Sequence, residues 1–161
     1  NVDPWPRMAQ SIQQDLAAIG IKAELRGLDL AAFIGTASKT DAAPMTLTEW
    51  YADFPDPSNF YAPILSCGAA VEGGYNWSFY CNKDIEARTK AADAITDPAR
   101  ARERLDSWSK IMADIMDKDA AWVPLFNPNR YSLRSERLKG DVSLFSDIIA
   151  QPFSFDAVWV E

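Results

Sequence analysis

An α/β fold follows from three features of the chain. Apolar residues recur at helical spacing in two runs, at Met8, Ile12 and Leu16 and again at Leu105, Trp108, Met112, Ile115 and Met116. Residues 21–25 alternate apolar and polar with period two, and residues 45–50 form a second strand candidate. The resulting order, helix–strand–helix–strand, predicts parallel crossovers.

Each element has a local cause. The first helix is expected over residues 5–18, where Pro4 or Pro6 suits a first turn whose N–H groups need no partner. Gly20 stops it. Asp29 can cap a second helix over 30–38. Pro55, Pro57, Pro63, Gly68, Gly73 and Gly74 break up residues 51–82. Asn82 or Asp84 can open a helix reaching about residue 95. Asp97 as cap and Pro98 in the first turn then start the long apolar-striped helix. Residues 121–126 and 130–133 read as strands around the Asn127-Pro128-Asn129 turn, and the final residues 157–161 are strand-like.

Composition narrows the function classes. The 161 residues suit one domain, with 48% apolar and 24% charged residues. Sixteen basic against 23 acidic residues leave a net charge of −7, a poor match for nucleic acid or an anionic membrane surface. No run is long and apolar enough for a membrane span. The absence of histidine removes His-based triads and His-based zinc sites. Two cysteines cannot form a four-thiolate metal site, and no metal or cofactor is implied. The opening residues suit either a processed mature end or a fragment of a longer chain, and the strand-like end needs a partner.

Cys67 and Cys81 lie 14 positions apart in a glycine-rich stretch. Two free thiols and a covalent link are both open on count alone. A link would stabilise a segment poor in regular structure and would persist only in an oxidising compartment.

Between Lys39 and Lys83 there is no lysine or arginine. The same stretch holds Asp41, Glu49, Asp53, Asp56 and Glu72, interleaved with Trp50, Tyr51, Phe54, Tyr75, Trp77 and other aromatics. Carboxylates lacking nearby cations, beside aromatic rings, suit a cation or an ammonium group. Solvated acids beside core aromatics give the same composition. Asp53 and Asp56, three apart, also allow a paired general acid and base, as in an Asp-based hydrolase. The further oxygens of a calcium loop are absent. Gly73-Gly74 does not match a phosphate-binding loop.

The run Trp50-Tyr51-Ala52-Asp53-Phe54-Pro55-Asp56-Pro57-Ser58-Asn59-Phe60 resembles the signature of extracytoplasmic solute-binding proteins, family 5, which feed peptide, dipeptide and nickel ABC importers. The helix–Gly–strand pattern of residues 13–25, Ile64-Leu65-Ser66-Cys67, Asn76-Trp77-Ser78-Phe79-Tyr80-Cys81-Asn82 and residues 102–124 are similar to the family in the same order, as are Tyr131 and Leu138-Lys139-Gly140.

The resemblance implies the C-terminal lobe of a type II (class C) periplasmic-binding-protein-like fold, with a mixed sheet flanked by helices. Residues 1–150 would be this α/β lobe, and residues 151–161 would return toward an N-terminal lobe. It implies a disulfide between Cys67 and Cys81, as in dipeptide-binding members. It also implies that Asp53 meets the α-ammonium group of a bound peptide, with Trp50, Tyr51 and Trp77 as pocket walls and Asp56 holding the loop. Phe54 and Pro55 depart from the dipeptide binders, so loop shape and solute class stay open here. The expected function is the periplasmic substrate-binding component of an ABC importer. Its partners would be a small peptide or amine-bearing solute and an inner-membrane permease, and it would catalyse no reaction. The alternatives are a stand-alone module for a cationic ligand and the Asp-based hydrolase.

Overall fold

The computed structural model describes residues 3–129, 135–140 and 158–161. Five α-helices lie among them: α1 (Trp5–Ala18), α2 (Leu30–Ala37), α3 (Ser58–Tyr61), α4 (Lys83–Asp93) and α5 (Ala101–Asp117). Two short strands, β1 (Leu138–Gly140) and β2 (Val158–Val160), pair antiparallel with Leu138 opposite Val160. The architecture is mixed α/β, with a small antiparallel sheet and flanking helices.

The helix starts form as the sequence predicts. The Asp29 carboxylate accepts the Ala32 N–H at 2.9 Å and caps α2. Asn82 caps α4, accepting the Asp84 and Ile85 N–H groups at 3.0 and 3.3 Å. Asp97 accepts the Ala99 N–H over a single 3-10 turn, Pro98–Arg100, that leads into α5. Gly20 ends α1 at φ 85°, a left-handed conformation that glycine adopts without a Cβ penalty.

Packing of α4 on α5 makes the core. Ile85 and Ala92 from α4 meet Trp108, Ile111 and Ile115 from α5, and Tyr61, Ile64 and Leu65 close the cluster from α3 and its exit. The stripe expected on α5 is correct except at Leu105, which is half exposed. Ile111 takes a core position instead. On α1, Met8, Ile12 and Leu16 are only half covered.

The strand expectations fare less well. Residues 21–25, 45–50 and 121–126 are not strands, so the parallel crossovers do not form among the described residues. Apolar alternation marks a segment with one covered face, but a ladder also needs a neighbouring backbone to exchange N–H and C=O groups. Residues 21–25 are held differently. The Ile21 N–H bonds the Leu16 carbonyl at 2.9 Å, and the Gln13 side chain donates to the Ala23 carbonyl at 2.7 Å. The strand expected at the chain end does form, as β2. The strand expected over 130–133 lies outside the described residues.

Candidate functional site

Cys67 and Cys81 form a disulfide, and the loop between them carries Tyr75 and Trp77. Asn76, buried, ties the two arms of this loop together. Its amide N–H groups donate to the Ser66 and Tyr80 carbonyls at 3.0 and 2.9 Å, and its oxygen accepts the Ser78 hydroxyl at 2.9 Å. Gly74 is required by close approach. A Cβ there would lie 2.7 Å from the Ala69 carbonyl oxygen. The Gly74 carbonyl accepts the Trp77 indole N–H at 2.9 Å and so orients that ring. Phe33 from α2 packs edge-on against Trp77, with centroids 5.2 Å apart.

Trp50 reaches this loop from the other side. Its ring lies 5.8 Å from Tyr75, and Tyr75 lies 6.4 Å from Trp77. These three rings and Trp122 wall a shallow concavity of about 120 Å³, completed by Thr48, Glu49 and Ile64. Trp50 and Trp77 therefore both line this concavity. Tyr51 is not a lining residue; its hydroxyl donates to Glu49 at 2.9 Å. Asp53 is also outside the lining set, three residues beyond Trp50 on the exposed loop.

The acids of this stretch divide into two kinds. Asp56 is clamped by Arg104 of α5, with Nη1 to Oδ2 at 2.7 Å and Nη2 to Oδ1 at 2.9 Å. Arg104 and the Ser58 hydroxyl and N–H hold the Asp56 carboxyl down at about 2, against the opposing effect of burial. Among the described residues Asp41, Glu49, Asp53 and Glu72 form no ion pair. The Asp53 carboxylate takes one neutral donor, the Asn59 side-chain amide at 3.1 Å.

The Asp53–Asp56 acid–base pair does not survive this geometry. Both Asp56 oxygens are occupied by donors from Arg104 and Ser58, which leaves neither free to exchange a proton with a substrate. Among the described residues there is no cluster of three or more metal-ligating His, Cys, Asp or Glu side chains. No described helix is long and apolar enough to cross a membrane.

The site also uses residues whose roles the sequence does not announce. Asn59, Asn76 and Arg104 are ordinary polar residues until the fold brings their partners to them. Trp122 reads as part of a strand, and only packing against the core turns it toward Trp50 and Trp77. The one available signal is the cation-free stretch itself, which leaves any charge partner to come from a distant segment.

An α/β body with an aromatic concavity, carboxylates without cationic partners among the described residues and a disulfide-closed loop agrees with a lobe of the periplasmic-binding-protein type. Residues 1–72 match the model of the bacterial extracellular solute-binding proteins, family 5 middle region. The chain is 35% identical over 140 residues to Di/tripeptide-binding protein 4 of Pseudomonas aeruginosa (strain UCBPP-PA14), covering 86% of this chain and 25% of that protein. It is 30% identical to the Glutathione-binding protein GsiB of Salmonella choleraesuis (strain SC-B67), covering 83% of this chain and 26% of that one. Among solved structures it matches the ABC transporter-associated periplasmic binding protein DppA from Helicobacter pylori in complex with peptide STSA. The TM-score is 0.67 at 30% identity, over 74% of this chain and 23% of that one. Over residues 1–72 the chain belongs to the bacterial extracellular solute-binding proteins, family 5. The Cys67–Cys81 bond agrees with an oxidising compartment. The chain spans about a quarter of the length of the curated relatives it matches.

Proposed function

We propose that this chain is part of the substrate-binding component of a peptide-type ABC importer, and that its solute is a short peptide with a free amine. In this reading residues 1–150 are the C-terminal α/β lobe, and residues 151–161 return toward a second lobe. The solute lies between the lobes, hinge closure encloses it, and the closed form docks on an inner-membrane permease. Asp53 pairs with the ammonium group. Trp50 and Trp77 supply apolar wall, and Tyr51 flanks them.

The observation that supports this reading is the state of Asp53. Its carboxylate is exposed, oriented by a neutral amide and paired with no lysine or arginine among the described residues. A charge left without a cationic partner attracts a cationic group, and pairing gains strength as closure excludes water. Relatives are named for di- and tripeptides and for glutathione, and a free amine is a usual feature of such compounds, which agrees with the charge of the site.

Native mass spectrometry of the full-length protein, purified from its source, tests the reading. A co-purifying di- or tripeptide is the expected result. Co-purification of a neutral sugar or of another solute without a free amine would overturn it. A stand-alone cation-binding module would instead retain a simple ammonium ion such as choline in preference to a peptide.

A further inference from the structure

We propose that Asn59 is a positioning residue, which presents the Asp53 carboxylate to the amine of the solute and couples it to the aromatic wall. The inference rests on the reading of Asp53 as the ammonium anchor.

The geometry at Asn59 is over-determined. The residue is 5% exposed, on the second position of α3. Its side-chain oxygen accepts two N–H groups, the Trp50 indole at 3.2 Å and the Asp53 backbone at 2.9 Å. Two donors on one atom leave no ambiguity about which end of the amide is oxygen. The amide nitrogen must therefore face Asp53, and it donates to Oδ2 at 3.1 Å. The other carboxylate oxygen, Oδ1, has no hydrogen-bond donor among the described residues.

The chemistry of that donor matters. An arginine in its place would orient Asp53 and also cancel its charge, as Arg104 does for Asp56. A neutral amide orients the carboxylate and leaves its charge for the solute. The same amide holds Trp50, a wall of the concavity, so the charged and apolar parts of the site move together. The base of α3 is fixed in turn. Asp56 accepts the Ser58 N–H at 2.9 Å while it is gripped by Arg104.

The test uses the full-length protein, with dialanine and N-acetyl-dialanine as probes and calorimetry as readout. Asn59→Ser shortens the side chain so that it cannot reach both partners. Its preference for dialanine over the acetylated probe should fall by about tenfold or more relative to wild type. Asn59→Asp still offers an acceptor to both N–H groups, so it reports even if Asn59→Ser unfolds. It sets a carboxylate oxygen against Asp53, and two such groups share a proton. Dialanine binding by this variant should weaken about tenfold from roughly pH 7 to roughly pH 5, where wild type stays flat. A purely structural Asn59 would lower both affinities together and leave the pH profile flat. If wild type prefers dialanine and both folded variants keep its preference and profile, the positioning role is overturned. If wild type itself shows no preference, the ammonium-anchor reading fails first and this proposal falls with it.

Discussion

Asp56 and Arg104, 48 positions apart, form a two-pronged ion pair at 2.7 and 2.9 Å. Arg104 also donates to Asp93 at 2.7 Å, and Asp93 accepts the Trp108 indole N–H at 3.1 Å. One guanidinium thus joins the loop after Trp50 to α4 and to the core ring of α5. The acidic loop of this lobe is anchored to the packed helices through Asp56, while Asp53 three residues earlier has no cationic partner among the described residues.

Asp56→Asn should destabilise the protein by about 1–2 kcal/mol at neutral pH, a value discounted for partial exposure of the pair. An unfolded aspartate titrates near about 3.9, and the paired one at about 2. The lowered folded value means that the contribution is complete above about pH 4 and disappears as pH falls through about 2. Thermal melts of wild type and variant should differ at pH 7 and converge below about pH 2. A difference that persists unchanged at that pH would show that the carboxylate charge is not its source.

Asp53→Asn should leave the melting temperature within about 1 °C, because the exposed carboxylate holds no ion pair among the described residues. In the full-length protein it should weaken binding of free-amine dipeptides by about 2 kcal/mol, roughly thirtyfold. Calorimetry on the pair of proteins decides this. Equal affinities would remove Asp53 from the site.

Breaking the Cys67–Cys81 bond should cost about 3 kcal/mol, from the unfolded-chain entropy regained on opening a loop of this size. At roughly 2–4 °C per kcal/mol, the Cys67→Ser/Cys81→Ser protein should melt some 6–12 °C lower. Tyr75 and Trp77 lie inside that loop, so tryptophan emission should shift to the red before global unfolding. Identical melts with and without reductant would contradict the structural role.

Tyr61→Phe should be neutral or slightly stabilising. The hydroxyl is buried without a hydrogen-bond partner among the described residues, and burial raises the affinity of this phenol for its proton against a smaller opposing effect of the Thr89 side chain. Its ring, 5.9 Å from that of Trp108, carries the packing. Tyr61→Ala should cost about 3–5 kcal/mol by opening a core cavity. Chemical denaturation of both variants separates the two contributions. A loss above about 1 kcal/mol in Tyr61→Phe would reveal a partner for the hydroxyl.

Helix positions and the signature loop were legible because their causes are local. Asp29, Asn82 and Asp97 cap their helices or helical turns within three residues of themselves. The stripe on α5 follows from helical period, and Leu105 departs from it because the contacts of α5 concentrate one turn further on, at Trp108. Residues 21–25 and 45–50 misled because alternation is also local, whereas a ladder is a relation between two segments.

By itself, the order of residues determined the caps, the helix faces, the family signature and a cation-free run containing Asp53, all properties readable along the chain without knowing which distant segments meet. Only the tertiary structure decided which acid would be neutralised. Arg104 lies far along the chain from both Asp53 and Asp56, and its reach from α5 selects Asp56. Asn59, turned inward on α3, then orients Asp53 with a neutral donor. Charge pairing depends on distance in space, falling steeply beyond contact in water, and that distance is fixed by how α5 packs in the core.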